Sequence, residues 1–298
     1  MRNTTWVNIG TEVNGATTVN EVLEKANIGY KVAKMPLSIA GTDIVVPDKV
    51  ATVRTDTNEV LGVVSENYEI CQNEDAFAFV DSVDNVEIVK AGQTYTGMVY
   101  MIGKMPSTKV LNDEFTPYLI FQNGHNGKYT VKTTICPLRI VCQNQFNMAF
   151  KESANTISIQ HSRNYPARLA EAEKLIKRTA QYMQNFGNTA EELAMLKIKD
   201  TDTVRNIINA FFTYDEKATD RQIRTIEEQR EQMFTAYNAD DNSNFTGTAW
   251  GLVNGFSDYI THREVKNTKN KNDSQFMTVT FDPRMFTAFV NHVQAYVA

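Results

Sequence analysis

Apolar residues in the first half of the chain follow a helical spacing once and then mostly the alternating spacing of strands. Residues 18–28 place their apolar side chains on one side of a short helix. Residues 44–57 and 60–71 are rich in β-branched residues and are separated by the polar, turn-like sequence DTNE, so they predict a pair of strands. Residues 73–83 then predict a second short helix, with Asn73 as its N-cap.

A β-hairpin is the clearest prediction in this half of the chain. Residues 86–92, 98–105 and 116–122 read as three further strands. The sequence NGHNG at residues 123–127 joins the last of them to residues 128–142. Two Asn-Gly pairs between alternating apolar runs are typical of a tight hairpin connection, so we expect these two strands to pair.

Helical spacing dominates after residue 164. The segments with this spacing are residues 165–186, 202–212, 220–237, 248–263 and 284–297, and two polar segments, 238–247 and 266–275, read as loops. The sequence therefore predicts an α+β fold: a mostly antiparallel sheet with packed helices, followed by a helical C-terminal half. We expect residues 1–163 to form the α+β sheet domain and residues 164–298 a helical region, separate or packed on the first as one unit.

The strand predicted at residues 128–142 changes the phase of its alternation at Pro137. Apolar residues occupy odd positions before this proline and even positions after it. Proline cannot donate to a strand ladder and is found at bulges, so we expect a β-bulge there. Cys136 and Cys142 would lie roughly 20 Å apart along a strand, too far for a disulfide or a shared metal ion. Both are expected to be core thiols, and no metal or cofactor is predicted.

The expected bulge has a consequence for charge, because it brings Lys128, Lys132 and Arg139 onto one polar face of the sheet. Such a basic stripe suits the phosphate backbone of a nucleic acid. Just beyond the strand, Asn144 is expected to cap a helix. The alternative is that Asn144 and Gln143 hydrogen-bond a ligand or a base.

The stripe lies in a positive island of an acidic chain. The 298 residues have a net charge of −5, yet residues 128–178 contain nine basic and three acidic residues, a net charge of +6. Such an island attracts a polyanion, or it only neutralises acidic parts of the same protein. Its further candidate binding residues are the cations Lys151, Arg163 and Arg168 and the interleaved aromatic residues Tyr129 and Tyr165.

Composition excludes several classes of protein. Hydrophobic residues make up 42% and charged residues 22% of the chain, as in ordinary globular proteins. No stretch approaches the roughly 20 apolar residues that cross a bilayer, and the N-terminus does not read as a signal peptide. Three cysteines are too few for a disulfide framework. We therefore expect a cytoplasmic protein without membrane contact.

Catalysis has little support in the sequence. We find no phosphate-binding glycine loop, no nucleophile elbow and no metalloprotease helix. His125 falls in the predicted turn with no carboxylate nearby in sequence and is expected to be an exposed polar residue. Arg54 and Asp56 share one strand face, and they form either a structural ion pair or part of a polar site. We assign no catalytic residue.

Three stretches together resemble one known family. Residues 53–82, 118–149 and 247–263 are similar to the signatures of the phage/plasmid-like proteins, a domain of unknown function numbered 932, and the likeness extends over about residues 20–265. This resemblance implies a protein carried by phages, prophages and plasmids in a bacterial host cell, with no established activity.

One position departs from the pattern of this family. Where relatives usually read His-Asp-Gly, this chain reads His125-Asn126-Gly127, which puts in doubt any acid–base or metal-binding carboxylate there. The remaining signature residues match the family pattern as they stand: Arg54, Asp56, Arg139, Cys142, Gln143 and Asn144.

Two functional hypotheses follow from these observations. The first is single-stranded nucleic-acid binding by a homo-oligomer, extending to strand annealing in phage recombination or replication, with the basic stripe tracking the backbone and aromatic rings stacking on bases. The outline of strands, hairpin and packed helix is similar to that of phage-type annealing proteins. The second is a protein-binding accessory factor of a mobile element that inhibits a host defence complex. A third, an enzyme acting on nucleotides, rests only on Arg54, Asp56 and His125.

Overall fold

The computed structural model describes residues 9–139, 144–146, 148, 156–164, 178–263 and 270–297. These residues form an α+β fold, as the sequence predicts. The strands lie in the N-terminal half and most of the helices in the C-terminal half.

The larger sheet is antiparallel and has the strand order β1-β5-β6-β8-β9-β10, with the short strand β7 pairing with β8. The β8–β9 hairpin predicted from NGHNG is present, and its two strands pair from Phe115↔Arg139 to Gln122↔Lys132. The strand bounds are β1 Thr11–Glu12, β5 Glu87–Gln93, β6 Met98–Lys104, β7 Thr108–Val110, β8 Asp113–Gly124, β9 Val131–Arg139 and β10 Thr156–Ile159.

A smaller sheet of three antiparallel strands has the order β2-β3-β4. It contains β2 (Val32–Ser38), β3 (Val45–Arg54) and β4 (Val60–Ser65). Because β4 pairs only with Lys49–Val53 of β3, the outer part of the β2–β3 hairpin extends beyond it. The pair of strands expected at residues 44–57 and 60–71 is present as β3 and β4, although β4 already ends at Ser65, and β2 was not predicted.

Eight α-helices occur in the described residues. Their bounds are α1 Val19–Lys25, α2 Asn73–Phe77, α3 Thr179–Met195, α4 Thr201–Phe211, α5 Asp220–Tyr237, α6 Ala249–His262, α7 Lys271–Phe281 and α8 Arg284–Val297, and short 3-10 helices cover Ala78–Ser82 and Asp240–Phe245. Helix α6 is buried along almost its whole length and is the centre of the helical half.

Both faces of the larger sheet are covered, which explains its long apolar strands. Alternate residues of one strand enter two different cores: Met101 of β6 belongs to the large core, and Tyr100 and Ile102 belong to a smaller one that also contains Phe276 of α7. The large core includes residues from both predicted domains, such as Val22 and Phe289. The boundary between residues 163 and 164 stays a prediction.

The β-bulge expected at Pro137 is wrong. The register of β8 and β9 runs without a shift through the pair Pro117↔Pro137, so the two missing amide hydrogens fall at the same point of the ladder. The phase change arises because Ile135 enters the large core, whereas Cys136 and Leu138 enter the small one. The alternation of apolar and polar residues identifies the solvent-facing side of a strand only where one face of that strand is exposed.

Three smaller expectations also change. Residues 271–275 begin helix α7, although the polar sequence at 266–275 reads as a loop. The N-cap of α2 is Gln72, and Asn73 is the first helical residue. Asn144 begins no helix within the described residues: its carbonyl accepts from the Arg139 amide, and Phe146 N–H donates to the Pro137 carbonyl, so this segment returns along the end of β9.

Candidate functional site

Arg139, a central member of the expected basic stripe, lies in the interior and is 1% exposed. Its Nε and Nη2 atoms each lie 2.7 Å from Oδ2 of Asp113, and Nη2 also donates to the Asp241 carbonyl at 2.9 Å. The guanidinium carbon is 5.4 Å from the ring centroid of Phe245. A carboxylate of the same chain therefore neutralises this cation, and it does not reach a solvent-side ligand. The placement of Arg139 on a polar face is wrong.

The other two members of the stripe differ from each other. Lys128 is exposed just before β9. Lys132 is half-buried, and burial lowers the pKa of its ammonium group while the nearby Asp282 carboxylate opposes this shift. Tyr129, expected to stack on bases, is half-buried and donates its hydroxyl to Thr96 Oγ1 at 2.6 Å. The three cations do not form a continuous surface.

The pairing of β9 with β10 brings two exposed cations to the same end of the sheet. Strand β10 runs antiparallel to β9 with Ile159 opposite Val131, so Lys128 before β9 and Arg163 after β10 lie at the same end of this strand pair. The Arg163 side chain is 85% exposed and its Nε lies 4.0 Å from a carboxylate oxygen of Glu69. The remaining predicted residues of the island, Lys151, Tyr165 and Arg168, lie outside the described residues, as does Gln143.

His125 is buried, which corrects the expectation of an exposed turn residue. Its Nε2 lies 3.0 Å from Oδ1 of Asn73, which also accepts from Asn123 Nδ2 at 2.9 Å. Because this amide oxygen can only accept, Nε2 carries the proton and Nδ1 is left unprotonated, without a hydrogen-bond partner. Burial and repulsion from His161 lower the pKa of His125 to about 3.

His161 lies close to His125 and is held in a similar way. Its Nδ1 is 3.2 Å from the Glu69 carbonyl and its ring stacks on Tyr68 with centroids 4.9 Å apart. Burial lowers its pKa to about 4, and Nε2 has no partner. The Tyr68 hydroxyl donates to the Gly124 carbonyl, so this ring links His161 to the hairpin turn.

The hairpin turn that contains His125 supports the base of the three-stranded sheet. Thr52 of β3 donates its hydroxyl to the His125 carbonyl at 2.6 Å. A Cβ atom added to Gly62 of β4 would lie 2.6 Å from Asn126 Cα, and one added to Gly127 would lie 3.1 Å from Val64 Cγ1. Gly127 also has a φ of +75°, which favours glycine. The His-Asn-Gly sequence therefore positions the smaller sheet and brings no reactive groups together.

Arg54 and Asp56 form the structural ion pair that was one of the two expectations. Nη2 of Arg54 lies 2.7 Å from Asp56 Oδ2 and Nε lies 3.1 Å from Oδ1, in the bidentate geometry that favours this pair. This hydrogen bond lowers the pKa of Asp56. The guanidinium also stacks on Tyr30 at 4.0 Å, and Tyr30 makes an edge contact with His125. The three residues of the enzyme hypothesis are neighbours, but each contacts structural partners.

Asn144 also has a structural partner, since its Oδ1 lies 3.0 Å from Nε2 of His262 at the end of α6. Cys136 is a buried thiol, as expected, and burial raises its pKa to about 12; Cys71 is buried as well. Cys142 lies outside the described residues. No three His, Cys, Asp or Glu side chains of the described chain come together at metal-binding distance.

The largest group of exposed apolar side chains lies on the smaller sheet and was not predicted. Six of the ten large apolar residues that the described chain exposes belong to this sheet and its hairpin tip: Met35, Ile39, Ile44, Val45, Val60 and Val63, between 41% and 60% exposed. We call these six residues the apolar arm surface. The signal in the sequence was the run IVVPDKV, whose β-branched residues predicted a strand without indicating that it is exposed.

The register of the strands explains why most of these side chains form a surface, whereas Val45, which pairs with Ser38 and directly follows Ile44, projects from the face opposite Ile44. Met35 of β2 stands opposite Ala51 of β3, which stands opposite Val63 of β4, so the three side chains project from the same face in one row. Val53 and Val60 form the next row, and Ile39 N–H donates to the Ile44 carbonyl at the hairpin tip. Ala51 and Val53 are covered, whereas the larger side chains around them are open to solvent.

Grooves elsewhere on the described molecule include the following two. One, of about 480 Å³, runs between β7 and α3 and is lined by residues that include Met105, Val110 and Met183. The other, of about 550 Å³, lies beside α5 and includes Tyr214, Lys217 and Arg221. Neither contains a residue that the sequence predicted for a site. Among the helices that the structure describes, none combines the length and apolarity of a membrane span.

Comparison with known proteins identifies one relationship. Residues 60–279, more than half of the 298-residue chain, match the family described as "Domain of unknown function (DUF932)". No curated protein and no solved structure matches the chain. The matched range includes β4, the larger sheet from β5 onward and the helices through most of α7, and it confirms the resemblance noted in the sequence. The chain belongs to the DUF932 family.

Proposed function

We propose that this protein acts by binding another protein chain and that the apolar arm surface makes the contact. The observation that supports this proposal is the clustering of exposed apolar side chains on one small sheet. Their exposed parts amount to roughly 500 Å², at the upper end of what monomeric proteins expose, and patches of this size commonly mark contact sites. Single exposed apolar residues scattered over a surface are normal in soluble proteins and would not indicate a contact site.

The charge at the tip of the arm also favours a protein partner over a nucleic acid. Between residues 35 and 48 the chain has no lysine or arginine, and its charged residues are Asp43 and Asp48. Carboxylates beside an apolar surface repel a phosphate backbone, which needs cations along its path. More specifically, we propose that the protein is an accessory factor of a phage or plasmid that binds and inhibits a host defence complex.

A capture experiment with matched variants tests this proposal. The protein is immobilised, incubated with nuclease-treated bacterial lysate, and compared with Ile44→Lys and with Met195→Lys, a control at another exposed apolar residue. We expect a stoichiometric protein, identified by mass spectrometry and reconstituted from purified components, that is retained by the wild type and the control and is lost with Ile44→Lys. Equal retention by all three proteins would overturn the proposal.

Single-stranded nucleic-acid binding is the second candidate, favoured by the exposed Lys128 and Arg163 at one end of the β9–β10 pair. Fluorescence anisotropy of a labelled oligonucleotide over a salt series tests it. Because each phosphate contact on a single strand contributes about 0.7 to the salt slope, Lys128→Ala with Arg163→Ala should lower the slope by about 1.4. No binding by the wild type at low salt would remove this candidate.

A further inference from the structure

We propose that the groove beside α5 binds a free mononucleotide, with the base against the ring of Tyr214 and the phosphate at Lys217 and Arg221. This site contains none of the residues of the apolar arm surface, so the inference goes beyond the proposed function. The groove has a volume of about 550 Å³, within the range of about 300–1,000 Å³ that is usual for small-molecule pockets.

The groove has one wall from the loop between α4 and α5 and one from the first two turns of α5. Tyr214 and Lys217 belong to the loop, and Arg221 and Ile226 belong to the helix. Tyr214 contacts Arg230, which lies about two and a half turns further along α5 than Arg221. The aromatic ring and the Arg221 cation are therefore separated along the groove, as the base and the phosphate of a nucleotide are separated by the sugar.

Tyr214 supplies a preformed stacking surface. Its ring centroid lies 5.1 Å from the guanidinium carbon of Arg230. Hydrogen bonds hold that guanidinium in place, since it donates to the carbonyls of Phe212 and Asn209 and pairs with Glu227 at 2.8 Å. Tyr214 is still 44% exposed, so a planar base can stack on the part of the ring that Arg230 leaves open.

The charges of the groove favour a phosphate over a carboxylate. Lys217 and Arg221 are exposed, and no ion pair of the described chain includes either of them. Asp215 is the one acidic residue of the described lining, and its Oδ1 already accepts from the Lys217 N–H at 2.8 Å. Two cations match the charge of about −1.5 to −2 that a phosphate monoester carries at pH 7, whereas a carboxylate carries a single negative charge.

The groove suits one nucleotide better than a strand. Among the described residues that line it, Tyr214 is the only aromatic one. Proteins that bind single strands offer a row of aromatic rings along a continuous basic path, because each nucleotide brings its own base and phosphate. One ring with two cations provides the contacts of a single nucleotide.

Isothermal titration calorimetry of the full-length protein with the monophosphates of adenosine, guanosine, cytidine and uridine tests this inference. We expect at least one of them to bind. The matching nucleoside and inorganic phosphate should each bind at least about tenfold more weakly, because each makes only one of the two sets of contacts. Phosphate that binds as tightly as the nucleotides, or no binding of any monophosphate, would overturn the inference.

Matched variants locate the ligand in the groove. Tyr214→Ala and Arg221→Glu should each weaken binding at least about tenfold. Arg221→Glu should keep the fold, since a carboxylate is favourable in the first turn of a helix. Arg224→Glu makes the same charge change on the same helix, outside the lining, and should leave binding unchanged. Equal weakening by Arg221→Glu and Arg224→Glu would overturn the site, because the anion would then respond only to the overall charge of the helix.

An oligonucleotide arm separates a free nucleotide from a strand. An oligonucleotide that binds in a manner dependent on Tyr214 and Arg221, while the monophosphates do not bind, would overturn the free nucleotide as occupant. Competition of a monophosphate with its own oligonucleotide for the wild type, with the monophosphate the tighter ligand per site, would support it. Circular dichroism of each variant establishes that the fold is retained.

Discussion

The environment of individual side chains in this protein depends more on contacts between distant parts of the chain than on the local sequence. Arg139 is the last residue of β9, at a position that the sequence predicts to be polar and exposed, yet its side chain is buried beside Asp113. His125 occupies a turn, yet it contacts Asn73 in the interior. A cation or imidazole inside a protein requires a partner, and in both cases that partner is distant in sequence, so the local pattern could not indicate it.

The Arg139–Asp113 pair gives the first prediction. Asp113→Asn should lower the free energy of unfolding by about 3 kcal/mol, because it leaves a buried guanidinium without its counter-charge. The control Glu227→Gln breaks the exposed pair with Arg230 and should cost no more than about 0.5 kcal/mol. Urea unfolding measures both variants. Equal, small losses would show that Arg139 is not held as the geometry indicates.

The two buried histidines give a prediction about pH. Their folded pKa values, about 3 for His125 and about 4 for His161, lie below the value of about 6.5 in the unfolded chain. The unfolded chain therefore binds more protons, so the stabilisation is complete above pH 6.5 and is lost as the pH falls toward the folded pKa values. Between pH 6.5 and pH 5 the loss should be about 1–2 kcal/mol per histidine.

Urea unfolding at several pH values checks this sign and size. The double variant His125→Gln with His161→Gln should be less stable at pH 7 but should have a much flatter dependence on pH. If the wild type and the double variant lose the same free energy between pH 6.5 and pH 5, the two imidazoles do not titrate as their burial requires.

At the scale of the elements, sequence periodicity located most helices and strands but not their exposure. The segments 220–237 and 284–297 coincide with α5 and α8 because each has a single apolar face. The strand β2 was missed because it contains Pro36, and α7 because its first turn is polar. The orientation of β9 could not be predicted, since both faces of this strand are buried and the alternation has no solvent side.

The contact between β4 and the hairpin turn gives a prediction about the small sheet. Gly62→Ala should destabilise the protein by about 1–3 kcal/mol, because the new Cβ would meet the Asn126 backbone at 2.6 Å. In the control Gly187→Ala, within α3, the nearest atom would be Val110 Cγ2 at 4.0 Å, so helix propensity should raise stability by up to about 1 kcal/mol. Thermal unfolding compares the two. A neutral Gly62→Ala would mean that the turn does not support the sheet at this point.

At the scale of the whole molecule, a well-packed body carries one exposed contact element. The larger sheet is covered on both faces, and its core extends into the helical half. The outer part of the β2–β3 hairpin extends beyond β4 and exposes apolar side chains that the body does not cover. Sequence alone predicted the α+β class and the family. It did not predict this surface, because β-branched residues read the same whether they enter a core or face a partner.

Amide hydrogen exchange of the full-length protein, alone and saturated with the partner identified by the capture experiment, tests the central claim most directly. We predict that the partner slows exchange in Val32–Ser38, Val45–Arg54 and Val60–Ser65 and leaves the other described elements unchanged. Slowed exchange only elsewhere, or no change in these three strands, would contradict the claim that the apolar arm surface makes the contact.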